Sequence, residues 1–486
     1  MTSMKFRRCT ADKCAYIKWV NGERIIVLTY VDDLICFTKS DKLRKWWHTS
    51  LQQRFKSVVI TEDCQWILNM KLERGQNPEG DKWVQLSQEL AITKIVQAAN
   101  LVECRRTCTP IDTSATIRKT QDGDEPPSEN WQYASILGGV LYVANTTRPD
   151  IAYSASRLTR YLRNPNQSHC RALKRLVKYL YTTKHIGLRY TSGNRNPFRL
   201  SAASDASFAD CEDTKRSTLG WGLWLGEQPN GLISWGSRIG KTVALSTTES
   251  EVQAALECTK DVLWSRDFLS EIGYRQTGST RIYEDNNGCI GQSTATKGLR
   301  RARHYLIALA ALNEACHAGD IHLFRVDSDK NVADSFTKGL GGEKHTRFGS
   351  QSLGRDITYL YKSRKQMITT DDEQTVQLSI NVRNMEPDAQ ITSKEGELYA
   401  QDDGKDVTSY HPKMGHNAQT TSKEGEQIAR DDDTTNTNIG DDFTMETYLR
   451  KAAHYAEAGH EPKFHMFLKL AKFIGHIPKP TVNKTN

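Results

Sequence analysis

A mixed α/β fold (α+β mixed) followed by a largely disordered tail is what this 486-residue sequence predicts, and three observations predict it. Short runs rich in Ile, Val, Leu and Phe recur through the first 340 residues, which is the composition of strands in a core. Longer segments between them place apolar residues at helical spacing. Both signals fade after about residue 366. Residues 366–442 hold 6 basic against 17 acidic residues and few aromatics, too little apolar surface to offset the entropy of ordering.

The elements follow in order. "ERIIVLTY" and "LICFT" flank Tyr30-Val31-Asp32-Asp33 and predict a β-hairpin. "SDKLRKWWHTSLQQRF" predicts a helix, with Ser40 or Asp41 as N-cap and Leu43, Trp46, Trp47 and Leu51 on one face. "CQWILNMKLERGQ" and "KWVQLS" predict a strand pair around the turn-rich "GQNPEGD", and "QELAITKIVQAANL" a helix. Residues 112–130 are polar and carry Pro and Gly, as a linker does. Helices are predicted for "YASILGGVLYVANTT", "DIAYSASRLTRYL" and "SHCRALKRLVKYLYTT". Strands are predicted for "FRLSAASDASFAD", "LGWGLWLG" and "GLISWG", then helices for "ESEVQAALECTKDVLWSRDFLSEIG". "TRIYEDN", "HYLIALAALNEACHAG", "IHLFRV" and "NVADSFTKGL" complete the pattern as strand, helix, strand, helix. Trp221, Trp224, Trp235 and Trp264 have spacings that fit core packing.

The tail contains a duplication, "AQITSKEGELYAQDD" from Ala389 and "AQTTSKEGEQIARDD" from Ala418, too few copies for a solenoid. After it, residues 443–486 carry Tyr448, Ala452, Tyr455, Phe464, Phe467, Leu468, Leu470 and Ile474 at helical spacing. Two amphipathic helices are expected there, as a partner-binding element or a small cap on the globular part.

The net charge of +8 is unevenly divided. Residues 341–486 carry 19 Lys+Arg and 22 Asp+Glu, which leaves 47 against 36 for residues 1–340. A basic front fits a polyanionic partner such as nucleic acid. No stretch approaches the ~18–20 apolar residues of a membrane span, so no membrane partner is expected. Eleven dispersed cysteines and no apolar leader in "MTSMKFRRCTADKC" point to reduced thiols in the cytoplasm or nucleus of a cell, not to secretion. Cys104 and Cys108 form the closest pair, and no second pair at zinc spacing follows them.

Asp32 and Asp33 pose the first chemical question. Polymerase chemistry needs carboxylates that hold two divalent ions, and a tight hairpin is a rigid platform for them. Aspartate is also a common turn residue. The surrounding segments decide between these readings by resemblance. "CAYIKWVNGERIIVLTYVDDLI", "VQLSQELAITKIVQAANL", "YASILGGVLYVANTTRPDIAYSASRLTRYLRNP" and "RALKRLVKYLYTTKHIGLRY" resemble the last part of reverse transcriptase in copia-type retrotransposon Pol polyproteins. "SDASFADCEDTKRSTLGWGLWL", "ISWGSR", "ALSTTESEVQAA", "EDNNGCI" and "NVADSFTKGL" resemble the ribonuclease H domain that follows it. The resemblance runs from about residue 9 to 341, in order and without a gap.

It implies a partial polymerase palm and thumb over residues 1–111, a linker and helical connection over 112–195, and a ribonuclease H-like mixed sheet with flanking helices over 196–341. An acidic low-complexity tail is then expected over 342–442. Tyr30, Val31, Asp32 and Asp33 would be the polymerase signature, with the two aspartates as metal ligands. That polymerase needs a third aspartate on an earlier palm strand, and the 29 residues before Tyr30 hold one aspartate, Asp12. The expectation is a polymerase region inactive alone, unless a missing segment is supplied in trans. Asn69 stands where the family usually carries glycine.

The ribonuclease H carboxylates are all present in the resemblance. Asp205 lies in "SDAS", Asp285 ends "RIYED", and Asp334 lies in "VADSFTK". Of the glutamates in "STTESEVQAA", Glu251 fits better than Glu249, because the following apolar spacing puts it on a buried helix face. Four carboxylates would hold two Mg²⁺ ions, or Mn²⁺ in their place, about 3.5–4 Å apart. The implied substrate is an RNA/DNA hybrid, recognised by minor-groove shape and 2′-hydroxyls. No small-molecule substrate is implied. Lys215, Arg216, Arg238, Lys241 and Asn286 are candidates for nucleic-acid contact. Departures from the family are Gly240 in place of glutamine, and Leu306 and Ala310 after Arg303-His304. A catalytically silent nucleic-acid-binding remnant and an interaction protein built on the tail are the competing readings.

Overall fold

The computed structural model describes residues 1–361, apart from 56, 63, 102–106, 129–130, 193–197, 227–229 and 296–304. Cys104, Arg303, His304, the duplication and the expected terminal helices lie outside the described residues. The chain divides into two units, Met1–Lys365 with Thr444–Asn486, and Gln366–Phe443. Every element below belongs to the first.

Four strands form the first sheet, in the order β1 (Arg7–Arg8), β2 (Ala15–Val20), β3 (Glu23–Tyr30) and β4 (Asp33–Thr38). Tyr30 pairs with Asp33, so the expected hairpin exists and Val31-Asp32 is its loop. Strand β3 is buried on both faces, which explains its unbroken apolar run. Ile25 and Val27 pack with Leu43, Trp47 and Leu51 of α1 (Asp41–Gln52). Ile26 and Leu28 join the large core on the other face. Ser40 caps α1, its hydroxyl accepting from the Leu43 N–H at 3.3 Å.

The second sheet runs β5 (Trp66–Ile67), β6 (Met70–Gln76), β7 (Lys82–Ser87) and β8 (Leu188–Thr191). One continuous strand over "CQWILNMKLERGQ" is therefore corrected. Leu68 and Asn69, at φ of 46° and 59°, reverse the chain between β5 and β6. Asparagine enters that left-handed region more readily than other residues with side chains, which is why it can replace glycine here. Strand β8 was not legible in the sequence; it brings the chain back beside β7.

Helices α2 (Glu89–Ala98), α3 (Tyr133–Thr146), α4 (Ala152–Thr159) and α5 (Gln167–Thr182) build a second core. The polar stretch 112–128 is tied down against it. Ile117 is buried there, and Arg118 pairs with Asp124 at 3.0 Å.

The third sheet has five strands in the order β11-β10-β9-β12-β13. Its members are β9 (Leu200–Ser207), β10 (Thr218–Leu225), β11 (Leu232–Ile239), β12 (Thr280–Glu284) and β13 (Ile321–Arg325). The first three are antiparallel neighbours, and β12 runs parallel to both β9 and β13. Helix α6 (Thr247–Glu271) packs across β9 and β10, with α7 (Asn287–Ser293) and α8 (Leu306–His317) beside it. This is a mixed sheet with flanking helices, the architecture expected for this part of the chain. Trp221, Trp224 and Trp235 are buried in its core, Trp264 is partly buried against it, and each indole N–H donates to a protein oxygen.

Two expectations change here. "NVADSFTKGL" forms a short 3-10 turn, Val332–Phe336, instead of an α-helix. The region drawn as tail from 342 opens with α9 (Gly342–Leu353), which buries His345, Phe348 and Leu353. Its polar-rich sequence hid this, because the face that α9 buries contains His345, Thr346 and Ser352.

Candidate active site

Strands β9 and β12 set the site. Ser201 pairs with Arg281 and Ala203 with Tyr283 in parallel register. Carried two residues further, that register brings Asp285 beside Asp205. Helix α6 crosses this end of the sheet and delivers Glu251 from its first turns. One side-chain oxygen each from Asp205, Glu251 and Asp285 lies within 4.8 Å of the other two. Asp205 and Glu251 are buried, and Asp285 is half-buried. Glu249 is also buried but is committed to the helix start, accepting from the Leu245 N–H at 2.7 Å. Of the two glutamates, Glu251 is the one grouped with Asp205 and Asp285.

Asp334 stands at the same end of the sheet on the 3-10 turn, outside that trio. Lysines hold both of its oxygens. Lys338 Nζ is 2.6 Å from Oδ1, and Lys344 Nζ on α9 is 2.6 Å from Oδ2. Lys338 Nζ also lies 3.7 Å from Asp205 Oδ2, so one ammonium links the two aspartates. The Thr337 hydroxyl donates to the same Asp205 oxygen. Asn331 Nδ2 donates to the Ser204 carbonyl at 2.9 Å and fastens the 3-10 turn to β9. Gly220, paired with Asp205 across β10, permits this approach. A Cβ there would come within 2.7 Å of both Thr337 Cγ2 and Phe336 Cβ.

A fifth carboxylate lies beneath the trio. Glu284 is fully buried, accepting from the Ser204 hydroxyl at 2.7 Å and from the Asn286 N–H at 3.1 Å. The signal for it was present. Thr280, Ile282 and Glu284 alternate inward along β12, so this glutamate occupies a core position. Burial raises the pKa of Asp205, Glu251 and Glu284 above the carboxylate range. The neighbouring carboxylates raise all three further, while Lys338 and Thr337 oppose the rise at Asp205. Burial works against the charge on Lys338, but Asp205 and Asp334 outweigh it and its pKa is raised.

The residues present fit a divalent cation. All three gathered donors are carboxylate oxygens, the set that hard cations take. Among the described residues, Glu251 Oε2 is buried without a hydrogen-bond partner, a cost that a cation would remove.

The remaining candidates fall elsewhere. Asp32 and Asp33 are exposed on the hairpin, and Val31 between Tyr30 and Asp32 sits at φ 50°. Among the described residues, neither aspartate belongs to a group of three metal-capable side chains. Arg238 pairs with Glu257 and lies over the Trp221 ring, 4.9 Å from its centroid. Asn286 caps α7, accepting from the Cys289 N–H at 2.9 Å. Lys215 and Lys241 are exposed, and Arg216 is half-buried.

Fold and site together define a mixed α/β protein with a carboxylate centre suited to divalent cations. No protein-family model matches the chain. The retrovirus-related Pol polyprotein from transposon TNT 1-94 of Nicotiana tabacum is 29% identical over 343 residues, covering 70% of this chain and 25% of that protein. The Pol polyprotein from transposon RE2 of Arabidopsis thaliana is 30% identical over 357 residues, covering 74% of this chain and 23% of that protein. Homologues of the chain are thus retrovirus-related Pol polyproteins of copia-type transposons, and it spans about a quarter of the length of these relatives. Among solved structures, ribonuclease H1 from the archaeon Halobacterium salinarum matches at 15% identity and a TM-score of 0.22, covering 29% of this chain and 94% of that one. That likeness is too weak to carry an argument.

Proposed function

We propose that the chain is a metal-dependent ribonuclease that cuts the RNA strand of an RNA/DNA hybrid. The observation that carries this reading is the cluster of Asp205, Glu251 and Asp285, with a buried oxygen on Glu251 that has no hydrogen-bond partner among the described residues. Asp205, Glu251 and Asp285 would hold one Mg²⁺ or Mn²⁺, and Asp205 with Asp334 a second. When bound, two such cations supply an activated water and stabilise the departing 3′ oxygen of an in-line displacement.

The protein's own part is to fix this constellation. Thr337 orients Asp205, and Asn331 locks the 3-10 turn that carries Asp334 and Thr337. Ser204 and Asn286 brace Glu284 under the site, keeping the ends of β9 and β12 in register. Lys338, Lys344 and the basic front of the chain attract the phosphate backbone.

The expected result is Mg²⁺- or Mn²⁺-dependent cleavage of hybrid RNA by the full chain, abolished by a chelator and restored by added metal. Hybrid that is bound and left uncut under both metals contradicts the reading and favours a silent binder. For the polymerase signature we expect no primer extension by this chain alone, because Asp32 and Asp33 gather no third carboxylate among the described residues.

A further inference from the structure

Lys338 occupies a position that the ribonuclease reading does not explain. A lysine that merely tracked substrate would extend into solvent, whereas this ammonium is turned inward against two buried aspartates. It is 2.6 Å from Asp334 and 3.7 Å from Asp205, the two residues that would share the second cation. Its side chain remains 45% exposed, so it has an open route out of the site. Lys344 contacts the other oxygen of Asp334, which leaves neither oxygen of that residue free for a cation. Among the described residues, the trio of Asp205, Glu251 and Asp285 contains no such lysine contact except the 3.7 Å approach to Asp205.

We propose that Lys338 sets how many cations the site holds, its ammonium standing in the place of the second until substrate draws it away. The inference rests on the carboxylate-site reading above. Two positive charges cannot share the space between Asp205 and Asp334, since like charges a few ångströms apart in a buried site repel strongly. Without nucleic acid the site therefore takes one divalent ion, at Asp205, Glu251 and Asp285. A phosphate backbone arriving at the site competes with Asp334 for the ammonium, and its withdrawal opens the second position. A second ion is thus admitted only in the presence of something to cut.

The test is Mn²⁺ titration of the full chain without nucleic acid, read by calorimetry and by the loss of the free-ion electron paramagnetic resonance signal. Wild type is expected to bind one ion, Lys338→Met two, and Lys338→Met with Asp334→Asn one again. Lys338→Arg, which keeps the charge, is expected to stay at one. Lys338→Gln provides a second neutral variant should the methionine protein misfold. Two ions in wild type, or one in both folded neutral variants, overturns the proposal while leaving the ribonuclease reading intact. No ion in any variant overturns both.

Discussion

At the scale of single residues the site conflicts with the stability of its own fold. Glu251 is buried among carboxylates with one oxygen unpartnered, and its raised pKa measures how poorly the surroundings accept its charge. Removing the ionisable carboxyl should help the metal-free protein, because folding then no longer has to protonate it. Glu251→Gln is expected to raise the melting temperature without metal by a few degrees, equivalent to about 1–2 kcal/mol, while abolishing hybrid cleavage. A melting temperature at or below that of wild type would contradict it. Val31 presents a second local conflict. It is β-branched, 86% exposed, and held at φ 50°, where such residues are strained. Val31→Asn should stabilise by about 1 kcal/mol in denaturant unfolding, since no packing is lost.

At the scale of elements, the close packing of a 3-10 turn on a strand builds the site. Gly220 makes room for Thr337 and Phe336 beside Asp205. Gly220→Ala is expected to displace the turn, destabilise by about 1–3 kcal/mol and lower cleavage more than hybrid binding. Equal losses of both would instead point to general unfolding. The elements also show what could be read in the sequence. The hairpin at Asp32-Asp33, helix α6 and strands β9 and β12 were legible because each has its own apolar period. Asp205, Glu251 and Asp285 followed from the resemblance of "SDAS", "STTESEVQAA" and "RIYED" to ribonuclease H motifs. Lys338 and Lys344 were not legible as site residues. One lies just past a turn whose type the sequence misjudged, and the other on α9, whose buried face is largely polar. Glu284 was legible by its inward phase but was overshadowed by Asp285 next to it.

At the scale of the whole molecule, the sheets are not independent. One continuous core joins Ile17, Ile26 and Leu28 of the first sheet, Leu72 and Leu86 of the second, and Leu223 and Phe268 of the third-sheet region. Glu271 at the end of α6 accepts from the Thr10 and Ala11 N–H groups at 2.7 and 2.9 Å, fastening the hairpin sheet to the helix that carries Glu251. A fragment of residues 196–341 would expose much of this core, so function is properly tested on the full chain. A buried network ties α9 to the helices. Arg148 pairs with Asp150 at 2.7 Å, Tyr179 donates to Asp150 at 2.7 Å, and His345 lies 3.0 Å from the Tyr179 hydroxyl. Burial pushes the His345 pKa down from 6.5 to about 4. On acidification the unfolded chain therefore takes up this proton first. The stability that His345 contributes is whole above pH 6.5 and is lost as pH falls toward 4, about 3 kcal/mol in all. Denaturant unfolding at pH 7 and pH 5 should show wild type losing more stability than His345→Gln. Equal losses would contradict the assignment.

The central claim, that the gathered carboxylates cut RNA in a hybrid, is tested most directly by one cleavage assay on the full chain. Labelled RNA annealed to DNA is incubated with Mg²⁺ and wild type or Asp205→Asn protein, beside the same RNA single-stranded. The account predicts cleavage of the hybrid alone, leaving 3′-hydroxyl ends, and a rate at least about a hundredfold lower in the variant. Equal cleavage by both proteins, or none by a folded wild type that binds the hybrid, would contradict it.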